Sequence, residues 1–222
     1  MLSKESEQGN HQKILQEVRH ALVLQEMVWF ALPFLFFHLY LYDGSHSKRP
    51  AMYVANHCSW DDIPFVGCTI GWRNYKIVAK KELEKVPILG KAIRVGGNIE
   101  VDRTDRRSQL ATLKKGIQYM KDGVNLCTFA EGTRSRTGRL MKFKEGAFKM
   151  AHKAKVPVVP LAIVGAQKSH PVHWMFPPKP TRKLTSVIVG EPIESDGLSE
   201  AELSAKVRET LITNLPEDQK PL

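Results

Sequence analysis

The chain has 222 residues, 42% of them apolar and 25% charged, a balance that supports a sizeable core and excludes an intrinsically disordered chain. Its formal net charge of +10 calls for a partner of opposite sign, whether nucleic acid, an anionic membrane or a phosphorylated substrate. The three cysteines, Cys58, Cys68 and Cys127, form no CxxC or similar pair, which argues against a disulfide framework or a structural zinc site and for a reducing compartment.

Met1 to His20 is polar and mixed in charge, without the early apolar core of a secretory signal. Met27 to Tyr42 then runs for 16 residues without a charge, interrupted by Pro33 and His38. That is short of the roughly 20 apolar residues of a full span. Its aromatic content, from Trp29 to Tyr42, suits the water–lipid interface. The segment is expected to associate with a membrane, either by dipping into one leaflet or as a thin or incomplete span; a buried core helix is the third reading. Asp43 to Pro50 reads as a linker, so residues 1–50 are expected to form a membrane-associating helical segment and linker, and residues 51–222 a single domain.

Within that domain, Ala51–Ala55 is a short apolar run expected to form a buried strand, and Tyr75–Ala79 and Asn98–Val101 are further strands. Gln109–Lys121 carries Leu110, Leu113, Ile117 and Met120 at helical spacing and is closed by Gly123. Val124–Phe129 is expected as a strand, Glu145–Ala154 as a helix, and Val156–Val164 and Leu184–Val189 as strands. The last helix starts near Ser199, where Ser199 and Glu202 can form a capping box, and its apolar face is Leu203, Val207 and Leu211. Strands alternating with helices define an α/β class with a mixed, mostly parallel sheet flanked by helices.

Two constellations carry chemistry. Asn56 to Asp62, NHCSWDD, follows the first strand directly. His57 is the one side chain there that accepts a proton near neutral pH without a large pKa shift, and a carboxylate partner would fix its tautomer. Asp61 would share its face in a regular helix. Pro64, however, fits a helical first turn, which starts the helix near Asp62 and leaves His57 in the loop. Spacing alone leaves both acids open. No GxSxG elbow occurs, and nothing local marks Ser59 or Cys58 as a nucleophile, so the simpler chemistry is activation of a substrate hydroxyl by His57.

The second constellation is Phe129 to Phe148, FAEGTRSRTGRLMKFKEGAF. A glycine turn with Arg134, Arg136 and Arg139 suits a phosphate, and only Glu131 and Glu145 are close enough in sequence to pair with them. Residues 73–155 carry 21 basic against 8 acidic side chains, so the positive field is concentrated around these segments. His170 and His173 lie in a proline-rich loop without a third ligand and read as structural. No nucleic-acid module is present.

Together these segments resemble the glycerolipid acyltransferases, in particular the 1-acylglycerol-3-phosphate (lysophosphatidic acid) acyltransferases. The family's NHxxxxD motif matches Asn56, His57 and Asp62, with Ser59 inside it. That match selects Asp62 over Asp61. GNIEVDR ends at Asp102 and Arg103, with Glu100 where an aromatic is usual. FPEGTRS appears as Phe129 to Ser135 with Ala130 replacing proline, FKxGAF covers Phe143 to Phe148 with Lys144, and VPVVPLAI supplies the proline-containing strand. The resemblance implies an α/β acyltransferase domain whose active site faces the membrane. It implies His57 and Asp62 as catalytic residues. Arg103, Glu131, Gly132, Thr133 and Arg134 would contact or position the acceptor phosphate, with Lys144 assisting. No metal and no bound cofactor is implied. The acyl donor would be acyl-CoA or acyl-carrier protein, and the acceptor lysophosphatidic acid, giving phosphatidic acid. Glycerol 3-phosphate or another lysophospholipid is the alternative acceptor, and a non-catalytic protein binding anionic lipid the alternative class. The expected location is a membrane, with the catalytic domain on its cytoplasmic face.

Overall fold

The structure is a computed structural model that describes residues 47, 49–71, 74–85, 89–173 and 185–222. The apolar segment Met27–Tyr42 lies outside these residues. Among them, the elements in chain order are β1 (Met52–Ala55), α1 (Asp62–Ile70), β2 (Tyr75–Lys80), a 3-10 turn (Lys81–Lys85), α2 (Leu89–Val95), β3 (Ile99–Val101), α3 (Arg106–Lys121), β4 (Asn125–Phe129), α4 (Gly146–Ala154), β5 (Val158–Val164), the single-turn α5 (Ala166–Ser169), β6 (Ser186–Val189) and α6 (Glu200–Asn214).

The strands form one six-stranded sheet in the order β3-β2-β4-β1-β5-β6. All neighbours are parallel except β5 and β6, so the sheet is mixed and mostly parallel. β1 lies at its centre, and all four of its residues are buried, as a strand covered on both faces requires. Met52, Val54, Leu126, Val158 and Ala162 join Phe148, Met150, Leu203, Val207 and Leu211 in one core beneath α3, α4 and α6. Alternation along the strands turns Tyr53, Cys127, Val159 and Leu161 to the opposite face, and α1 packs against β5 and β6.

Local sequence explains the helix ends. Pro64 sits in the first turn of α1, where a missing N–H costs nothing. Asp105 caps α3 by accepting from the Arg107 and Ser108 N–H groups, so this helix begins three residues before the start read from its apolar spacing. Thr112, Gly116 and Met120 are buried, Leu113 and Ile117 are partly buried against the core, and Leu110 is 51% exposed. A side chain at Gly116 would overlap the Met150 sulfur of α4 as it stands, so Met150 would have to shift to admit one. Ser199 and Glu202 form the expected capping box at α6. The 3-10 turn, α2 and α5 had no counterpart in the sequence reading, and β5 starts at Val158 rather than Val156.

Candidate active site

The parallel pairing of β1 with β4 sets Ala55 opposite Phe129. The two loops leaving the carboxyl ends of these strands therefore emerge side by side, the usual location of sites in open α/β sheets. Asn56 is buried, and its side-chain amide donates to the Ile163 carbonyl and accepts from the Ile163 N–H at 2.9 and 2.7 Å. It extends the β1–β5 ladder by one side-chain rung and fixes where the chain leaves the sheet.

His57 follows, held from every side. Its N–H donates to Glu131 Oε1 at 2.7 Å, its carbonyl accepts from the Ser135 N–H at 2.7 Å, and its ring stacks on Phe129 at 3.9 Å between centroids. Nδ1 lies 2.7 Å from Asp62 Oδ2. The same oxygen accepts the Cys58 and Ser59 N–H groups at 2.6 and 2.8 Å, and the Asp62 side chain is wholly buried in the first turn of α1, where a negative charge is favoured. With Nδ1–H donated to Asp62, Nε2 is the ring nitrogen that can take a proton. The choice left open by spacing falls to Asp62. Asp61 turns to His170 instead, whose Nδ1 is 3.1 Å from Asp61 Oδ1.

The second loop starts at β4. Glu131 is 3% exposed, and its two oxygens accept the N–H groups of His57 and Met141. Burial raises its pKa to about 7, against the lowering effect of those two bonds. A buried acid with both oxygens engaged by backbone N–H groups braces the two loops to each other. Gly132 has φ of +74°, a region that only glycine enters freely, and the Lys144 side chain crosses directly over it. The Lys144 N–H donates to the Ala130 carbonyl at 2.7 Å. Thr133 is exposed.

The arginines separate. Arg134 lies with its guanidinium carbon 3.4 Å from the centroid of the Trp60 ring. Burial lowers its pKa from the usual value, and the nearby charge of Asp62 opposes that. Arg139 donates from Nη1 to the Glu217 and Lys220 carbonyls, while Arg136 is exposed. Arg103 stands just past the carboxyl end of β3, three strand spacings from β1, or about 14 Å. It shares the active edge of the sheet but is not gathered against His57. Ser59 is buried, and its hydroxyl donates to the His170 carbonyl at 2.8 Å, so it fastens the loop. Among the described residues no group of three or more His, Cys, Asp and Glu is placed to hold a metal.

Sequence reading missed the bracing by Glu131, the contact of Trp60 with Arg134, and Gln219. The last is wholly buried, accepts from the Gly165 N–H and donates to the Ile163 carbonyl. Its own carbonyl receives the Leu140 N–H. Trp60 lies within a segment already singled out, but nothing local marks Gln219.

An α/β domain with a histidine–carboxylate pair at the end of its central strand, beside a basic glycine turn, has the framework of a group-transfer domain. The chain belongs to the Acyltransferase family, whose model matches residues 38–164. It is 40% identical over 125 residues to the chloroplastic 1-acyl-sn-glycerol-3-phosphate acyltransferase BAT2 of Brassica napus, a match covering 56% of this chain and 36% of that protein. It is 33% identical to the 1-acyl-sn-glycerol-3-phosphate acyltransferase of Saccharomyces cerevisiae, covering 77% of this chain and 57% of the yeast protein. The crystal structure of the 1-acyl-sn-glycerophosphate (LPA) acyltransferase PlsC from Thermotoga maritima superposes with a TM-score of 0.64 at 32% identity, over 76% of this chain and 66% of that one. The chain thus spans about a third of the Brassica protein and just over half of the yeast protein.

Proposed function

We propose that this protein transfers a fatty acyl group from a thioester to the free hydroxyl of 1-acylglycerol 3-phosphate, giving phosphatidic acid. The single observation that carries the reading is the 2.7 Å bond between His57 Nδ1 and a buried Asp62 oxygen, beside the loop that holds Arg134. The relatives named as 1-acyl-sn-glycerol-3-phosphate acyltransferases support the choice of acceptor.

In this mechanism Asp62 holds the imidazole with Nε2 available. Nε2 takes the proton of the acceptor hydroxyl as that oxygen attacks the thioester carbonyl, and Asp62 stabilises the imidazolium that forms. The tetrahedral intermediate collapses with cleavage of the carbon–sulfur bond. The departing thiolate takes the proton back from His57, leaving ester and free thiol with no acyl-enzyme. Arg134 and Lys144 supply positive charge for the acceptor phosphate, Gly132 and Thr133 shape the turn that carries them, and Arg103 adds charge further along the sheet edge. Acyl-CoA or acyl-carrier protein is the donor. Residues 1–50 serve as the membrane-associating segment and 51–222 as the catalytic domain, on the cytoplasmic face.

The test is thiol release from acyl-CoA with lysophosphatidic acid and glycerol 3-phosphate offered separately. Release that requires lysophosphatidic acid is the expected result. Release with glycerol 3-phosphate alone overturns the acceptor assignment. Release with neither acceptor, also when acyl-carrier protein carries the acyl group, overturns the proposed reaction.

A further inference from the structure

Trp60 lies in the first site-forming segment and touches Arg134 of the second, and its neighbours are fastened on both sides. The Ser59 hydroxyl donates to the His170 carbonyl at 2.8 Å, and Ser59 bridges to Pro171. Asp61 pairs with His170 at 3.1 Å. The indole N–H of Trp60 itself donates to the Val172 carbonyl at 3.0 Å. The loop 170–172 thus anchors the N–H edge of the ring. Its other outcome is exposure: Trp60 is 42% exposed, an unusual state for the largest apolar side chain. Its accessible face is used by Arg134, 3.4 Å from the ring centroid.

A guanidinium lying flat on an indole keeps its edge N–H groups free, because the face contact uses the ring quadrupole and none of the donors. The edge is what forks onto a phosphate. Arg134 makes no side-chain hydrogen bond or ion pair to another described residue, so the indole is the contact that sets its orientation. Ser135, next in the chain, donates its N–H to the His57 carbonyl, which ties the base of the same arginine to the histidine loop.

We infer that Trp60 is a positioning residue for the acceptor: held by the Val172 carbonyl, its indole orients the Arg134 guanidinium so that the donor edge meets the phosphate while the hydroxyl reaches His57. The inference rests on the reading of Arg134 as a phosphate-binding residue. Its test is steady-state kinetics of the full chain with lysophosphatidic acid as varied acceptor, for Trp60→Leu, Trp60→Phe, Arg134→Ala and the double variant Trp60→Leu/Arg134→Ala. Leucine keeps apolar bulk and removes the aromatic face; phenylalanine keeps a face and removes the N–H. Trp60→Leu should raise the acceptor KM roughly 3- to 30-fold, the range of a partly desolvated cation–π contact, with kcat changed less than about twofold, and Trp60→Phe should recover part of that loss. The double variant should be no worse than Arg134→Ala alone, because both changes remove one interaction. Equal KM values for the leucine and phenylalanine variants, or fully additive effects in the double variant, would overturn the role of Trp60 while leaving Arg134 its own. An unchanged KM in Arg134→Ala would remove the phosphate reading and this inference together.

Discussion

Glu131 is a buried acid whose environment opposes its charge. Desolvation and the nearby Asp62 raise its pKa to about 7, against a reference of 4.5, despite two backbone N–H bonds. The folded state therefore binds a proton that the unfolded chain has already lost between about pH 4.5 and 7. Stability falls as pH rises through that window and is level above it, by up to about 3 kcal/mol. Replacing Glu131 with Gln removes this dependence and one of the two N–H bonds. The stability gap between wild type and Glu131→Gln, from denaturant melts, should shrink as pH rises from 5 to 8. A gap independent of pH would contradict the assignment. At this scale the sequence was partly legible. His57 and a neighbouring acid were recognisable by type, because few side chains take a proton near neutral pH. The choice between Asp61 and Asp62 was not readable from spacing, because it depends on where α1 begins and on the loop at His170 that draws Asp61 away. Glu131 was recognisable as part of a motif, but its donors, 74 residues away at His57 and 10 away at Met141, were not.

Elements with a strong local signal were read well. β1, β4 and β5 are apolar runs that a buried parallel strand requires, and α6 carries its own capping box. In α3, helical spacing identifies an apolar stripe without saying how wide the covered face is. The sheet leaves Leu110 exposed and buries Gly116, whose lack of a side chain admits Met150. The segment Met27–Tyr42 is read from composition alone, and no helix among the described residues is long and apolar enough to cross a membrane. Its uncharged, aromatic-rich sequence favours the lipid interface. Deleting residues 1–42 should lower co-flotation with vesicles of phosphatidylcholine and phosphatidylglycerol. Unchanged flotation would assign membrane association to the basic surface of the domain.

Across the whole molecule, the site is assembled from segments that only the sheet order brings together. β1 and β4 are neighbours although two other strands intervene in sequence, and this adjacency sets His57 beside Glu131 and Ser135. The segment 216–220 closes the structure from far along the chain: Gln219 bonds to Ile163 and Gly165, and Arg139 holds the carbonyls of Glu217 and Lys220. Such contacts leave no trace in local periodicity. What the assembly serves is the pairing of His57 with Asp62, and the most direct measurement is thiol release by His57→Ala beside wild type, with lysophosphatidic acid and acyl-CoA. Thermal melts would verify that both proteins are folded. A general base contributes about 10²- to 10⁴-fold, so the variant should lose at least a hundredfold in kcat with its melting transition intact. A folded His57→Ala protein that retained full activity would contradict the account.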